Sequence, residues 1–141
     1  MSGYTERFRG IIATYVEELE KAEKNRKPFG GLFGFGQGPG DFPCHEALDR
    51  QVAELTAEAA EAEESPEETA ALVKDILEAE GNRRWTEAAR LSVLAIQRHT
   101  LPLISRMSRE DRDSISSWYE KQYPKRKRLP VQRQIVKELS R

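Results

Sequence analysis

Apolar residues return every three to four positions through most of this chain, first as Tyr4, Phe8, Ile11, Tyr15, Leu19 and Ala22, with Ile12 and Val16 widening the stripe. That period predicts an amphipathic helix from Tyr4 to about Arg26, supported on its outer face by the pairs Glu17–Lys21 and Glu20–Lys24. A second helix is expected from Asp41–Pro43 to about Glu64, because Asp caps free amides and Pro is tolerated in a first turn. Its stripe of His45, Leu48, Val52, Leu55, Ala59 and Ala62 is narrow and increasingly alanine-lined, which lets a neighbouring helix come close. Ser65-Pro66-Glu67-Glu68 supplies the cap, the first-turn proline and the returning Glu of a third helix, with Leu72, Val73, Ile76 and Leu77 inward and Gly81 as its stop.

Asn82 is the expected cap of a fourth helix whose apolar positions, Trp85, Ala88, Ala89, Leu91, Val93, Leu94, Ala95 and Ile96, surround more of the axis than a single stripe. Such a helix belongs nearest the centre of the fold. Pro102 should kink or end it around His99 to Leu101, because its ring removes an amide and clashes one turn back. Ser108 with Asp111 opens a fifth helix that buries Ile115, Trp118 and Tyr119 and closes at Tyr123-Pro124. Pro130 starts a last helix with Val131, Ile135 and Leu139 on one face.

The expected fold class is all-α: one domain over residues 1–141, built as an up-and-down bundle of four main helices with a C-terminal helical hairpin. Short connections imply antiparallel neighbours, so helices two and four should run parallel. The start of helix two would then lie beside the ends of helices one and three and the start of helix four.

The loop between helices one and two (27–43) interrupts this pattern. From Lys27 to Cys44 the chain places six of its nine glycines and four of its five phenylalanines. Glycine gives up the most backbone entropy on ordering, so a loop this long either stays mobile or is pinned by its rings. In one reading Phe29, Leu32, Phe33 and Phe35 tuck into the bundle end and Phe42 staples the next helix. In the other, some of these rings form an adhesive patch for a protein partner, a second subunit or a ligand lid. No Gly-Lys-Ser/Thr follows, so this is not a phosphate loop.

Charged residues at 33% suit a helical surface, and no apolar run approaches the ~20 residues that cross a bilayer. The first seven residues carry no hydrophobic signal core, which makes a cytoplasmic location without membrane contact the expectation. The net charge of -1 hides a segregation: Glu46 to Glu80 holds 12 acids against 2 bases, and Ser105 to Arg141 holds 11 bases against 5 acids. The simplest outcome is that the two regions attract each other within one molecule; pairing between subunits and an anionic partner are the alternatives.

Three groups carry candidate chemistry. Cys44, the single cysteine, sits with His45 in the first turn of helix two, where orphan amides favour a thiolate. The bland alternative is that both are ordinary packing residues. The two histidines, His45 and His99, fall at opposite ends of the expected bundle, about 30 Å apart, which leaves no shared metal site. The basic connector (124–130) and its surroundings, with Lys121, Lys125, Arg126, Lys127, Arg128 and Arg133, could hold phosphates, although Trp118 and Tyr119 belong to the core stripe. No catalytic set, cofactor motif or metal motif is legible. The reading favoured by the sequence is a non-enzymatic protein-interaction module, with self-association as one form of it. It would use the Gly/Phe loop and the bundle end around Phe29, Phe33, Phe35, Phe42, Cys44, His45 and Trp85. Nucleic-acid binding through the basic hairpin, and thiol or metal chemistry at Cys44 and His45, are the alternatives.

Overall fold

The helix-start signals of the sequence reappear as hydrogen bonds in a computed structural model of the chain, which describes residues 3–24 and 42–141. Ser65 Oγ accepts from the Glu68 amide at 3.2 Å, and Ser108 Oγ accepts from the Asp111 amide at 3.1 Å. Each cap satisfies an amide that the first helical turn leaves without a partner. Ser65→Ala and Ser108→Ala are each expected to cost about 1 kcal/mol in denaturant unfolding.

Among the described residues the chain is all-helical, with no strand. The α-helices are α1 (Tyr4–Lys24), α2 (Phe42–Glu61), α3 (Pro66–Glu78), α4 (Glu87–Ala95), α5 (Leu101–Ile104), α6 (Arg109–Gln122) and α7 (Pro130–Ser140). Tighter 3-10 turns fill Ala79–Asn82, Ile96–Thr100 and Lys125–Lys127. None of these helices is long and apolar enough to cross a membrane. The Gly/Phe loop, with Phe29, Leu32, Phe33 and Phe35, lies outside the described residues; Phe42 is the first residue of α2.

α1 packs on α2 and α3, and ion pairs from Arg7 to Glu58 and from Arg9 to Asp75 fix its approach. The α1 face is thinly covered: Phe8 and Tyr15 are buried, whereas Tyr4, Ile11, Ile12 and Leu19 are only partly so. α2 buries Leu48, Val52, Leu55 and Ala59 as its stripe predicts, together with Thr56, whose hydroxyl donates to the Val52 carbonyl at 2.9 Å. The helix stops at Glu61, and Glu63 adopts the left-handed φ of 52° that ends it, so Ala62 is exposed. α3 contributes Leu72, Val73, Ile76 and Leu77, all within 1% of complete burial. α6 and α7 form the C-terminal hairpin, and the Arg109 guanidinium at the start of α6 reaches the carbonyls of Ser140 and Arg141 at the end of α7.

The fourth helix departs from its expected form. Its cap is Thr86, whose hydroxyl accepts from the Ala89 amide at 3.3 Å; Asn82 belongs to the preceding 3-10 turn. Arg83 is extended (φ -161°, ψ 171°), and the Trp85 indole N–H turns back to the Glu80 carbonyl at 3.0 Å, so helical winding restarts only after the tryptophan. Nor is α4 buried all round. Ala89, Val93 and Leu94 face inward, whereas Ala88 and Ala95 are exposed and Leu91 is 50% exposed. Pro102 acts as its chemistry requires: the chain tightens to 3-10 over Ile96–Thr100 and resumes α geometry with the proline in the first turn of α5.

That tightening places Gln97 and Thr100 in the interior, both 0% exposed. Thr100 Oγ donates to the Gln97 carbonyl at 2.7 Å. The Gln97 amide accepts from the Tyr119 hydroxyl at 2.7 Å through Oε1, and its Nε2 donates to Tyr123 Oη at 3.3 Å. This polar knot joins the α4–α5 region to α6 at the middle of the core.

Candidate functional site

Tyr15 brings together the two aromatic residues that the sequence singles out near the Gly/Phe loop. Its hydroxyl lies 2.6 Å from His45 Nδ1, its ring centroid 5.7 Å from the imidazole and 6.0 Å from the Trp85 ring. His45 occupies the first turn of α2 and its Nε2 is buried, without a hydrogen-bond partner among the described residues. Among the described residues Tyr15 supplies the hydrogen bond that orients the imidazole. Cys44, one residue earlier, is half-buried and packs against the core. The cluster lies beside the middle of α1 rather than its end, because Arg7 already meets Glu58 near the end of α2 and α1 overshoots the start of α2.

The Arg83 guanidinium stands 5.1 Å from the centroid of the Trp85 ring. This pair lines a cleft of about 320 Å³ together with Phe8, Ile12, Ala79, Glu78, Asn82 and the Arg9–Asp75 ion pair. Apolar and charged lining residues beside a partly exposed Trp and an Arg are the composition of a small binding surface. The sequence pattern missed Tyr15, Arg9, Asp75 and Arg83. Tyr15 was counted only as a stripe residue, and Arg83 carried one signal, its place two residues before Trp85.

The two histidines are not at opposite ends of the molecule. His99 Nε2 lies 3.0 Å from Asp49 Oδ1, and Asp49 is one turn after His45 on α2, about 6 Å along the axis. Between Trp85, which reaches Tyr15 beside His45, and His99, which reaches Asp49, the chain advances 14 residues while α2 advances four. The Arg98 guanidinium also donates to Asp49, at 2.8 Å. Burial works to raise the Asp49 carboxyl, and the hydrogen bonds from His99 and Arg98 outweigh it, so its pKa lies below the ordinary value. Asp49 thus serves as an anchor for the 3-10 turn. Among the described residues no group of three or more His, Cys, Asp or Glu side chains could hold a metal ion.

Of the basic candidates, Lys121, Lys125, Arg126, Lys127 and Arg133 are exposed and carry no ion pair among the described residues. Arg128 is different. Its Nε donates to the Tyr123 carbonyl at 2.8 Å and its side chain is 10% exposed, with Glu120 at 3.7 Å. It pins the turn between α6 and α7. Tyr119 and Tyr123 are buried and Trp118 is half-buried, so the aromatic residues beside these cations face the core.

Fold and site together define an all-α protein with an aromatic-walled cleft and a separate basic face. No family model, curated protein or solved structure matches the chain, so the side-chain geometry alone carries the functional reading.

Proposed function

We propose that this protein is a non-enzymatic interaction module of the cytoplasm, and that the cleft beside Trp85 receives a segment of a protein partner. The observation that carries this reading is the Arg83–Trp85 pair lining a cleft together with Phe8, Ile12 and Ala79. Trp and Arg are the residue types that concentrate binding energy at protein interfaces. Apart from its contact with the indole, Arg83 is exposed and makes no ion pair among the described residues. The matching partner is therefore a segment presenting an apolar side chain next to a carboxylate, the first for Phe8, Ile12 and Ala79, the second for Arg83. The Gly/Phe stretch joins α1 to α2, and α2 begins with Cys44 and His45 beside Tyr15. That connectivity supports its participation beside Tyr15 and His45, next to the cleft at Trp85. The architecture assumed is the up-and-down bundle with a C-terminal hairpin, supported by the approach of α1 to α2 and α3 through Arg7–Glu58 and Arg9–Asp75.

Affinity purification from the native cell, quantified against Arg83→Glu and Trp85→Ala, tests the proposal. A true partner should bind each variant at least ~30-fold more weakly, as expected when a central Trp or Arg is removed. Arg83→Glu changes an exposed residue and should leave the melting curve unchanged. Identical partner profiles for the wild type and both variants would remove the cleft from consideration. A Phe33→Ser/Phe35→Ser variant then asks whether the loop contributes separately.

A further inference from the structure

The segregated charges of the sequence do not neutralise each other in the fold. Among the described residues, no ion pair joins the acids of 46–80 to the bases of 105–141: Glu58, Asp75, Glu78, Glu80 and Asp49 pair with Arg7, Arg9, Lys74, Arg90 and Arg98, while Asp113, Glu120 and Glu138 pair with Arg109, Arg128 and Arg141. The reason is the placement of α3. Glu61, Glu63, Glu64, Glu67 and Glu68 surround its start, where Glu64 shares a hydrogen bond with Glu68 and its carboxyl is held above the ordinary value. The turn between α6 and α7 lies beyond its other end: the Cβ position of Gly81 would stand 3.2 Å from Gln122 Nε2, and Gln97 links Leu77 to Tyr123. α3 has 13 residues, so the two poles are about 20 Å apart, more than two screening lengths at physiological salt.

The basic pole consists of Lys121, Lys125, Arg126, Lys127 and Arg133, drawn from the end of α6, the turn after it and the first turn of α7, all exposed and without an ion pair among the described residues. The nearest acid by chain position, Glu120, is already paired with Arg128.

From this arrangement we infer that the basic pole binds the phosphate backbone of a nucleic-acid duplex without reading its sequence. A duplex carries one negative charge per ~1.7 Å of axis, and dispersed, unpaired Lys and Arg side chains are suited to it. Among the described residues no aromatic ring near this pole offers a free face for base stacking. Tyr119 and Tyr123 are buried, Trp118 lines the groove between α3 and α6 with Glu67, Glu78 and Asp111, and Trp85 lies under Arg83. A lipid surface fits less well, since Leu129 is the large exposed apolar residue at this pole and one leucine is a weak anchor. Pole-to-pole contact between copies would appear as self-association that grows as salt is lowered, which the test below scores against duplex binding.

The test is fluorescence anisotropy of labelled 20-base-pair DNA and RNA duplexes with the full chain. If about five phosphates are neutralised, the log–log salt slope is about -4.5, and affinity falls about 500-fold between 50 and 200 mM salt. Lys125→Glu/Arg126→Glu/Lys127→Glu should lose at least 100-fold at 50 mM salt with an unchanged melting temperature, because all three side chains are exposed and unpaired. Lys121→Glu/Arg133→Glu, on α6 and α7, should lose at least 10-fold. No duplex binding at 50 mM salt, or a slope shallower than about -2, overturns the inference. So does binding that survives both variants, or capture by anionic vesicles or low-salt self-association in place of duplex binding.

Discussion

Gln97→Leu is expected to destabilise the protein by about 3 kcal/mol, lowering the melting temperature by about 10 °C. The side chain is 0% exposed, and its amide is the partner of the Tyr119 and Tyr123 hydroxyls, with Nε2 also 3.5 Å from the Leu77 carbonyl. Leucine fills a similar volume but offers no polar atom, so buried hydroxyls lose a partner at about 1–3 kcal/mol each. The asymmetry of buried hydrogen bonds provides the control. Removing every member together, in Gln97→Leu/Tyr119→Phe/Tyr123→Phe, should recover most of the loss, because no donor or acceptor in the knot is then left alone. Urea unfolding of the single and triple variants measures both. Wild-type stability for Gln97→Leu would show that the knot contributes nothing.

Stability should also fall steeply above about pH 10, by as much as ~1.4 kcal/mol per pH unit for each of Tyr119 and Tyr123. Burial is the main force raising the Tyr119 phenol, with the neighbouring Tyr123 adding to it, and its pKa lies far above the ordinary value. Burial likewise raises Tyr123, offset in part by its hydrogen bond with Gln97. In the unfolded chain both phenols ionise near pH 10, whereas the folded protein keeps both protons. The folded state therefore binds more protons in this range. The stabilisation is complete below the unfolded pKa and is lost as pH rises from there toward the folded values. Thermal melts from pH 8 to 11, with tyrosinate absorbance recorded alongside, should show loss of structure coinciding with ionisation of the buried pair. Tyr119→Phe should remove about half of the slope; an unchanged slope would mean that another group limits the alkaline range.

These two predictions rest on residues that the hydrophobic period could not single out. Counting apolar positions identified Leu48, Val52, Leu72, Val73, Ile76, Leu77, Ile115, Ile135 and Leu139 as core, and all are buried. The same count passes over Thr56, Gln97, Thr100 and Gln132, which are equally buried. A polar side chain enters a core only where partners wait for it. Gln132 Oε1 accepts from the Leu129 amide at 2.8 Å, and Gln97 meets two tyrosines 22 and 26 residues away. Partners at that separation are not a local property of the sequence. The opposite error occurred on α4, where Ala88, Leu91 and Ala95 read as interior and lie outside, because this nine-residue helix buries only the face of Ala89, Val93 and Leu94.

By itself the sequence determined where α3, α6 and α7 begin, since Ser65, Ser108, Pro66 and Pro130 act through backbone atoms within one turn of themselves. It also set the charge asymmetry, a matter of composition. Only the tertiary structure decided that His99 meets Asp49 one turn from His45, that Tyr15 joins His45 to Trp85, and that the end of α6 stands near Gly81 while the acids of the α2–α3 turn lie at the other end of α3. Each of these depends on helix crossing angles and on where a helix actually starts. Those quantities are set by how side-chain volumes and buried polar partners fit together across the core, which no periodicity along one helix contains.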